Sequence, residues 1–255
     1  MIVILSPAKK LERKELNYDI ELTNVRHISE SIKLNERLKE FNPDELGSLM
    51  KISDKLTDDT LLNIHRWTIE EAENSFPCIL GFNGEAFRGL DITSYSKEDL
   101  EYANSHLRVL SGLYGVLRPL DLICSYRLEM GTKLNIGKHK NLYSFWGEKI
   151  NKTLLEDIKI SESDILVNLA SNEYSKSAKL NKMKGITIVT PVFKEFKNGK
   201  YKVVTVHAKR ARGLMATYIM KNRIEDVEGL KKFNEEGYIY RKDLSNNEEM
   251  VFTLG

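Results

Sequence analysis

The sequence predicts an α+β, or mixed α/β, fold: one compact domain over residues 1–255 with a mixed β-sheet, C-terminal hairpins and flanking helices. Three observations carry this. Short unbroken apolar runs, such as Met1–Leu5 and the core of Asp164–Leu169, have the length of buried strands. Between such runs lie segments whose apolar residues recur at helical spacing, such as Ile28, Ile32, Leu34 and Leu38. Two alternating runs flank Asn198-Gly199, the dipeptide suited to a type I′ hairpin turn. Hydrophobic residues make up 41% and charged residues 30%, and no repeat, low-complexity stretch or Gly/Pro-rich linker marks a domain boundary.

Taken in order, Met1–Leu5 is a strand stopped by Ser6-Pro7. A helix follows within Asn24–Phe41. The next opens at "NPDEL", with Asn42 as N-cap, Pro43 at the first helical position and Glu45 three residues past the cap. A third starts near Thr57–Asp59 and runs to Trp67. Cys78–Phe82 reads as a second buried strand leading into "NGEAFRGL", and Lys97–Leu110 as a helix. That helix enters "SGLYGVLRPLDLICSYRLEMG" (Ser111–Gly131), where Gly112, Gly115 and the Arg118-Pro119 step act as a device for turning the backbone into an irregular segment. The C-terminal half holds the strand in Asp164–Leu169, the hairpin within Thr187–His207, a helix with Leu214, Tyr218 and Ile219 on one side, and a closing hairpin in "GYIYRKDLSNNEEMVFTL".

The bulk properties exclude several classes. A net charge of +2 and a pI near 8.3 supply no general attraction for polyanions, so any anion site needs a local concentration of Lys and Arg. Cys78 and Cys124 lack metal-ligand spacing and read as buried reduced thiols. The apolar N-terminus is too short for a signal peptide, and no run reaches the roughly 20 apolar residues of a membrane span, so the expected compartment is the cytoplasm. Neither G-x-x-x-x-G-K-[ST], G-x-G-x-x-G after a strand, nor G-x-S-x-G occurs, and the five histidines show no paired spacing. No cofactor and no metal site are predicted.

Polar groups gather instead where buried strands end: Ser6 and Lys9; Asn83, Gly84 and Glu85; Ser171, Asn172 and Glu173; Lys209, Arg210 and Arg212. Loops at such strand ends commonly line ligand crevices. "HAKRARG" (His207–Gly213) places three cations in a loop and the first turn of a helix, where the dipole disfavours them unless an anion binds. Asn168, inside an apolar strand, needs hydrogen-bond partners. In the Ser111–Gly131 stretch, Arg118, Asp121, Arg127 and Glu129 form two opposite-charge sets. Either they pair internally, or Arg118 and Arg127 line a cleft with Lys9, Lys209 and Arg212.

With these residues assembled, the sequence resembles the YaaA family of peroxide stress resistance proteins. The strings are "SPAK" (Ser6–Lys9), "ISDKL" (Ile52–Leu56), "LSGLYGVLRPLDLI" (Leu110–Ile123), "YRLEMG" (Tyr126–Gly131), "FWG" (Phe145–Gly147), "NLASNEYSK" (Asn168–Lys176), "PVF" (Pro191–Phe193), "AKRARGLM" (Ala208–Met215) and "FNEEGY" (Phe233–Tyr238). The resemblance implies a cytoplasmic protein that limits iron-dependent oxidative damage under hydrogen peroxide stress. It also implies binding of double-stranded DNA, with little sequence specificity, through a positively charged cleft and a helix-hairpin-helix element. That element falls on residues 43–67, where Lys51, Ser53 and Lys55 are the available phosphate partners and Ile52–Leu56 holds no glycine.

The nucleic-acid or anion-binding candidates are therefore Lys9, Lys51, Ser53, Lys55, Arg118, Arg127, Ser171, Lys176, Lys209, Arg210 and Arg212. The alternative is an enzyme acting on a nucleotide or nucleic-acid substrate in a pocket of Lys9, Glu85, Ser171, Glu173 and Lys209, with the arginines holding phosphate. An enclosed pocket favours turnover; a wide basic groove favours duplex binding. Direct iron binding ranks last, because the dispersed histidines and carboxylates give no facial-triad spacing.

Overall fold

A computed structural model describes residues 1–15, 18–68, 74–246 and 248–255. Its main sheet comprises β1 (Ile2–Leu5), β2 (Leu107–Ser111), β3 (Gly115–Leu117), β4 (Ile165–Leu169), β5 (Thr187–Lys197), β6 (Lys200–Lys202), β7 (Ile239–Tyr240) and β8 (Glu249–Leu254), in the order β7-β8-β5-β4-β1-β2-β3 with β6 on β5. The five inner strands β8, β5, β4, β1 and β2 run parallel; β3, β6 and β7 are antiparallel to their neighbours. β1 is buried at every residue, as a central strand covered on both faces requires. The mixed α/β architecture matches the sequence reading.

Where local chemistry is strong, the elements form as expected. Asn42 and Glu45 make a reciprocal capping box at the start of the helix Pro43–Met50. Asn198 and Gly199 both take positive φ (55° and 77°), as a type I′ turn demands. The second hairpin forms between β7 and β8, with residue 247 of its connection outside the described residues. Cys78 and Cys124 are buried and free.

Three elements differ. Cys78–Gly81 is a short helix, between two-residue strands at Phe76–Pro77 and Phe82–Asn83. All four of its residues are buried, so the apolar run carried no periodicity to separate helix from strand. The helix from Lys97 ends at His106, and Leu107–Ser111 is a sheet strand instead of a continuation. Gly115, at φ 73°, then starts β3, so the glycines of this segment turn a strand into a strand. Finally, the helix Thr205–Asn222 (α8, the eighth helix of six or more residues among the described residues) starts before His207: β6 ends at Lys202 and leaves only Val203 and Val204 for the turn.

One hydrophobic core unites the elements. At its edge Asp157 binds two arginines: Arg108 Nε donates to it at 2.7 Å, and Arg26 makes a bidentate pair at 2.8 and 3.0 Å.

Candidate functional site

The topology makes a crevice. The chain leaving β1 passes to β2 on one side, while the chain leaving β4 passes to β5 on the other. The loops at the carboxyl ends of β1 and β4 therefore diverge, the arrangement in which open parallel sheets bind ligands. Across the crevice, Ser6 Oγ accepts from the Ser171 backbone N–H at 2.8 Å and donates to Ser171 Oγ at 3.2 Å. Beyond Ser6 the chain pairs Lys10 with Asn83, which brings Gly84 and Glu85 alongside.

The other wall is α8. It crosses the helix Glu85–Leu90 with backbones in contact: a Cβ on Gly213 would lie 1.8 Å from Ala86 O, and one on Gly89 2.1 Å from Arg210 O. Gly213 of "AKRARG" is thus a packing residue that draws the cationic turn of α8 up to Glu85. The half-open cavity measures about 350 Å³ and is bordered by Ser6, Lys9, Arg127, Ser171, Lys209 and Arg212, with acids Glu85, Glu129 and Glu173. The rings of Tyr126 and Tyr174 contribute apolar wall. Burial pushes both phenols far up, so both stay neutral.

The cations differ in what holds them. Lys9 pairs with Glu129 at 2.8 Å. Glu173 accepts from the Gly131 backbone N–H at 2.8 Å, and Glu85 pairs with Arg88. Arg212 and Arg127 have no hydrogen-bond or ion-pair partner among the described residues, and Arg127 Nε is buried. Burial, with no acid nearby to oppose it, pulls the Arg212 guanidinium below its ordinary range. It remains charged, since an arginine is not deprotonated in a protein. A desolvated guanidinium, Arg212, and a half-buried one, Arg127, thus border one cavity without an ion-pair partner among the described residues.

Of the sequence candidates, Lys9, Arg127, Ser171, Lys209 and Arg212 come together here with Glu85 and Glu173. The others do not line the cavity. Arg118 is held by Asp121 (2.9 Å) and Asn24 O (3.0 Å), and Arg210 by Glu236 (2.8 Å from Nε). Lys176 lies over the Tyr143 ring at 5.0 Å. Lys51, Ser53 and Lys55 sit at the corner between the helices Pro43–Met50 and Asp54–Arg66, where Lys51 takes the left-handed conformation at φ 55°. The connector is Lys51–Ser53, since the second helix begins at Asp54. Lys209, Arg210 and Arg212 fall past the first turn of α8, beyond its free N–H groups, so side chains rather than the helix terminus face the cavity. Asn168 finds its partners in the adjacent strand and just past the end of its own, Thr190 Oγ1 at 3.4 Å and the Ala170 N–H at 3.2 Å. Sequence reasoning missed Glu129 as the partner of Lys9, and the two tyrosines; the charge of Glu129 was visible, but its neighbour in space was not.

No group of three or more His, Cys, Asp or Glu able to hold a metal ion gathers among the described residues. Nor is any helix among them long and apolar enough to cross a membrane.

Residues 1–244 match the family described as "Peroxide stress protein YaaA". The chain is 51% identical over 258 residues to a UPF0246 protein of Clostridium botulinum (strain Alaska E43 / Type E3), covering 100% of this chain and 99% of that protein. It is 46% identical over 254 residues to a UPF0246 protein of Clostridium beijerinckii, covering 99% and 97%. A UPF0246 protein of Saccharophagus degradans is also 46% identical over 254 residues, covering 99% of each chain. On this coverage, and with the "SPAK", "NLASNEYSK" and "AKRARG" segments meeting in one crevice, the chain belongs to the peroxide stress protein YaaA family.

Proposed function

We propose that this protein serves peroxide defence by binding DNA at the crevice, with one nucleotide unit of a strand seated in the cavity and its phosphate on Arg127 and Arg212. The observation that carries the proposal is that Arg212, desolvated by burial, and Arg127, whose Nε is buried unpartnered, border one cavity with no ion-pair partner among the described residues. A phosphate supplies the missing negative charge and matches their donor geometry. Lys209, exposed at the rim, adds a cation with no ion-pair partner among the described residues. A volume of about 350 Å³ falls at the small end of the roughly 300–1,000 Å³ range of small-ligand sites. It suits one nucleotide and not the width of a duplex, so the double-stranded partner implied by the family resemblance is better read as a strand presenting a single unit. Phosphate contacts carry no base identity, in keeping with little sequence specificity. A strand held this way is shielded from radicals made by iron and peroxide in free solution, which is how binding limits iron-dependent damage.

Titration of the protein with thymidine 5′-monophosphate and inorganic phosphate, followed by calorimetry, tests this. Saturable binding that weakens with salt is expected; silence for both ligands refutes it.

The enzymatic reading has one feature in its favour: Glu85, Glu129 and Glu173 border the same cavity as the cations. A carboxylate beside a bound phosphate unit is a candidate acid or base. Chromatography of nucleotides and oligonucleotides after prolonged incubation distinguishes turnover from simple binding.

A further inference from the structure

The hairpin β5–β6 carries charge that the cavity does not use. From Lys194 to Lys202 inclusive the chain has four lysines and a single acid. The register sets Lys197 directly opposite Lys200, both exposed, and like charges opposed across strands destabilise a ribbon. The acid, Glu195, is buried and already engaged: it lies 2.5 Å from His207 Nδ1, accepts from the Tyr238 hydroxyl at 3.3 Å, and sits 3.4 Å from Lys197 Nζ. On the other face of the ribbon Phe196 is 52% exposed and meets Tyr201 edge-on, ring centroids 5.2 Å apart.

Glu195 offsets the charge of Lys197 but not that of Lys200, and the Tyr201 contact leaves half of Phe196 in water. A polyanion offsets the lysines on one face of the ribbon and a planar base covers Phe196 on the other, so a single strand that turns around the ribbon's end meets both components of a strand-binding surface. The hairpin also connects to the cavity. Lys202 is the register partner of Glu195, Glu195 contacts His207, and His207 stands in α8, which continues to Lys209 and Arg212 at the cavity.

We propose that the hairpin is the outer part of a single-stranded DNA track. The strand leaves the cavity past Lys209, His207 and Lys202, and its phosphates reach Lys197 and Lys200, with Phe196 stacking on a base at the ribbon's end. The route rests on the cavity reading above, but the two are separable by experiment.

Binding of a twelve-residue oligothymidylate and of thymidine 5′-monophosphate is measured for the wild type, Phe196→Ala, the double variant Lys197→Gln/Lys200→Gln, and Arg212→Gln. The hairpin side chains are exposed, so these variants fold. Phe196→Ala is expected to weaken the oligonucleotide about tenfold, and the lysine variant to lower its salt slope by about 0.7 per lost contact. Neither should alter mononucleotide binding, whereas Arg212→Gln weakens both ligands. Hairpin variants that bind the oligonucleotide within about twofold of wild type overturn the proposal, as does a wild type that binds no oligonucleotide. A wild type that ignores the mononucleotide while the hairpin variants lose the oligonucleotide removes the cavity from the track and leaves the hairpin as the strand-binding surface.

Discussion

Arg118 and Arg127 stand in the same short segment and have opposite fates. Arg118 meets a fully buried carboxylate: its Nε donates to Asp121 Oδ1 at 3.0 Å, its backbone N–H to Oδ2 at 2.8 Å, and Thr23 completes the acid at 2.7 Å. Arg127 has no such partner, and its Nε is buried without one. The same division separates Arg26 and Arg108, both on Asp157, from Arg212, which burial desolvates unopposed. The sequence offered Asp121 to Arg118 and Glu129 to Arg127 at similar spacing, yet Glu129 turns to Lys9. An arginine whose desolvation is offset by a carboxylate holds the fold together. One left without an acid lowers stability until a ligand brings the negative charge.

The sharpest test of the paired class is Asp157→Asn. Removing the acid leaves two guanidiniums uncompensated, and a loss of about 3–5 kcal/mol in denaturant unfolding is expected. A loss under about 1 kcal/mol would erase the contrast with Arg127 and Arg212. Burial raises the Asp157 pKa, but hydrogen bonds from Arg108 and Arg26 outweigh it, and the net position is below the ordinary carboxylate value. A depressed folded pKa means stability that is fully present above the unfolded value and lost as pH falls through the folded one. The wild type should therefore lose stability below about pH 4 by an amount that Asp157→Asn does not share.

For the unpaired class the signs reverse. Arg212→Gln and Arg127→Gln are each expected to weaken nucleotide binding about 10- to 100-fold while leaving stability unchanged or slightly higher. Calorimetry beside thermal unfolding reads both quantities; falling stability with intact binding would place these residues with Arg118. Arg118→Gln should do the converse, costing about 1–3 kcal/mol by stranding Asp121 and leaving mononucleotide affinity as it was.

Smaller effects sharpen the boundary of the site. Lys51→Gln/Lys55→Gln, at the helix corner outside the cavity, should change mononucleotide affinity less than about twofold. If the same variant abolishes duplex binding, that corner is a DNA contact separate from the crevice. Smallest of all, the thiols should be silent. Burial pushes the Cys78 thiol well up, and its Sγ donates to Arg118 O at 3.0 Å, so the thiolate needed for oxidation is scarce. Native protein is expected to give no fast phase with an aromatic disulfide reagent, and a fast phase would make Cys78 or Cys124 a peroxide target.

How much of this was readable beforehand depends on the range of the interaction. The Asn42–Glu45 box and the Asn198-Gly199 turn were legible because their partners lie within three residues. The helix Cys78–Gly81 was not, since a run buried on all sides has the same pattern as a strand. Nor was β2, where the helix from Lys97 passes directly into a strand without Gly or Pro to mark the change. The gathering of strand-end loops was legible as a tendency, since parallel strands place their carboxyl ends on one side. Lys9, Arg127, Ser171, Lys209 and Arg212 duly meet.

By itself, then, the sequence determined the mixed α/β class, the family, and the set of cations from which a site could be built. Periodicity, caps and turn residues act over a few positions and survive without tertiary context. Only the tertiary structure decided which cations were spent on acids and which were left facing a cavity. That choice turns on contacts between distant residues, such as Arg118 with Asn24, Lys9 with Glu129 and Arg210 with Glu236. Coulomb attraction between side chains depends on distance in space, and spacing along a chain does not fix it.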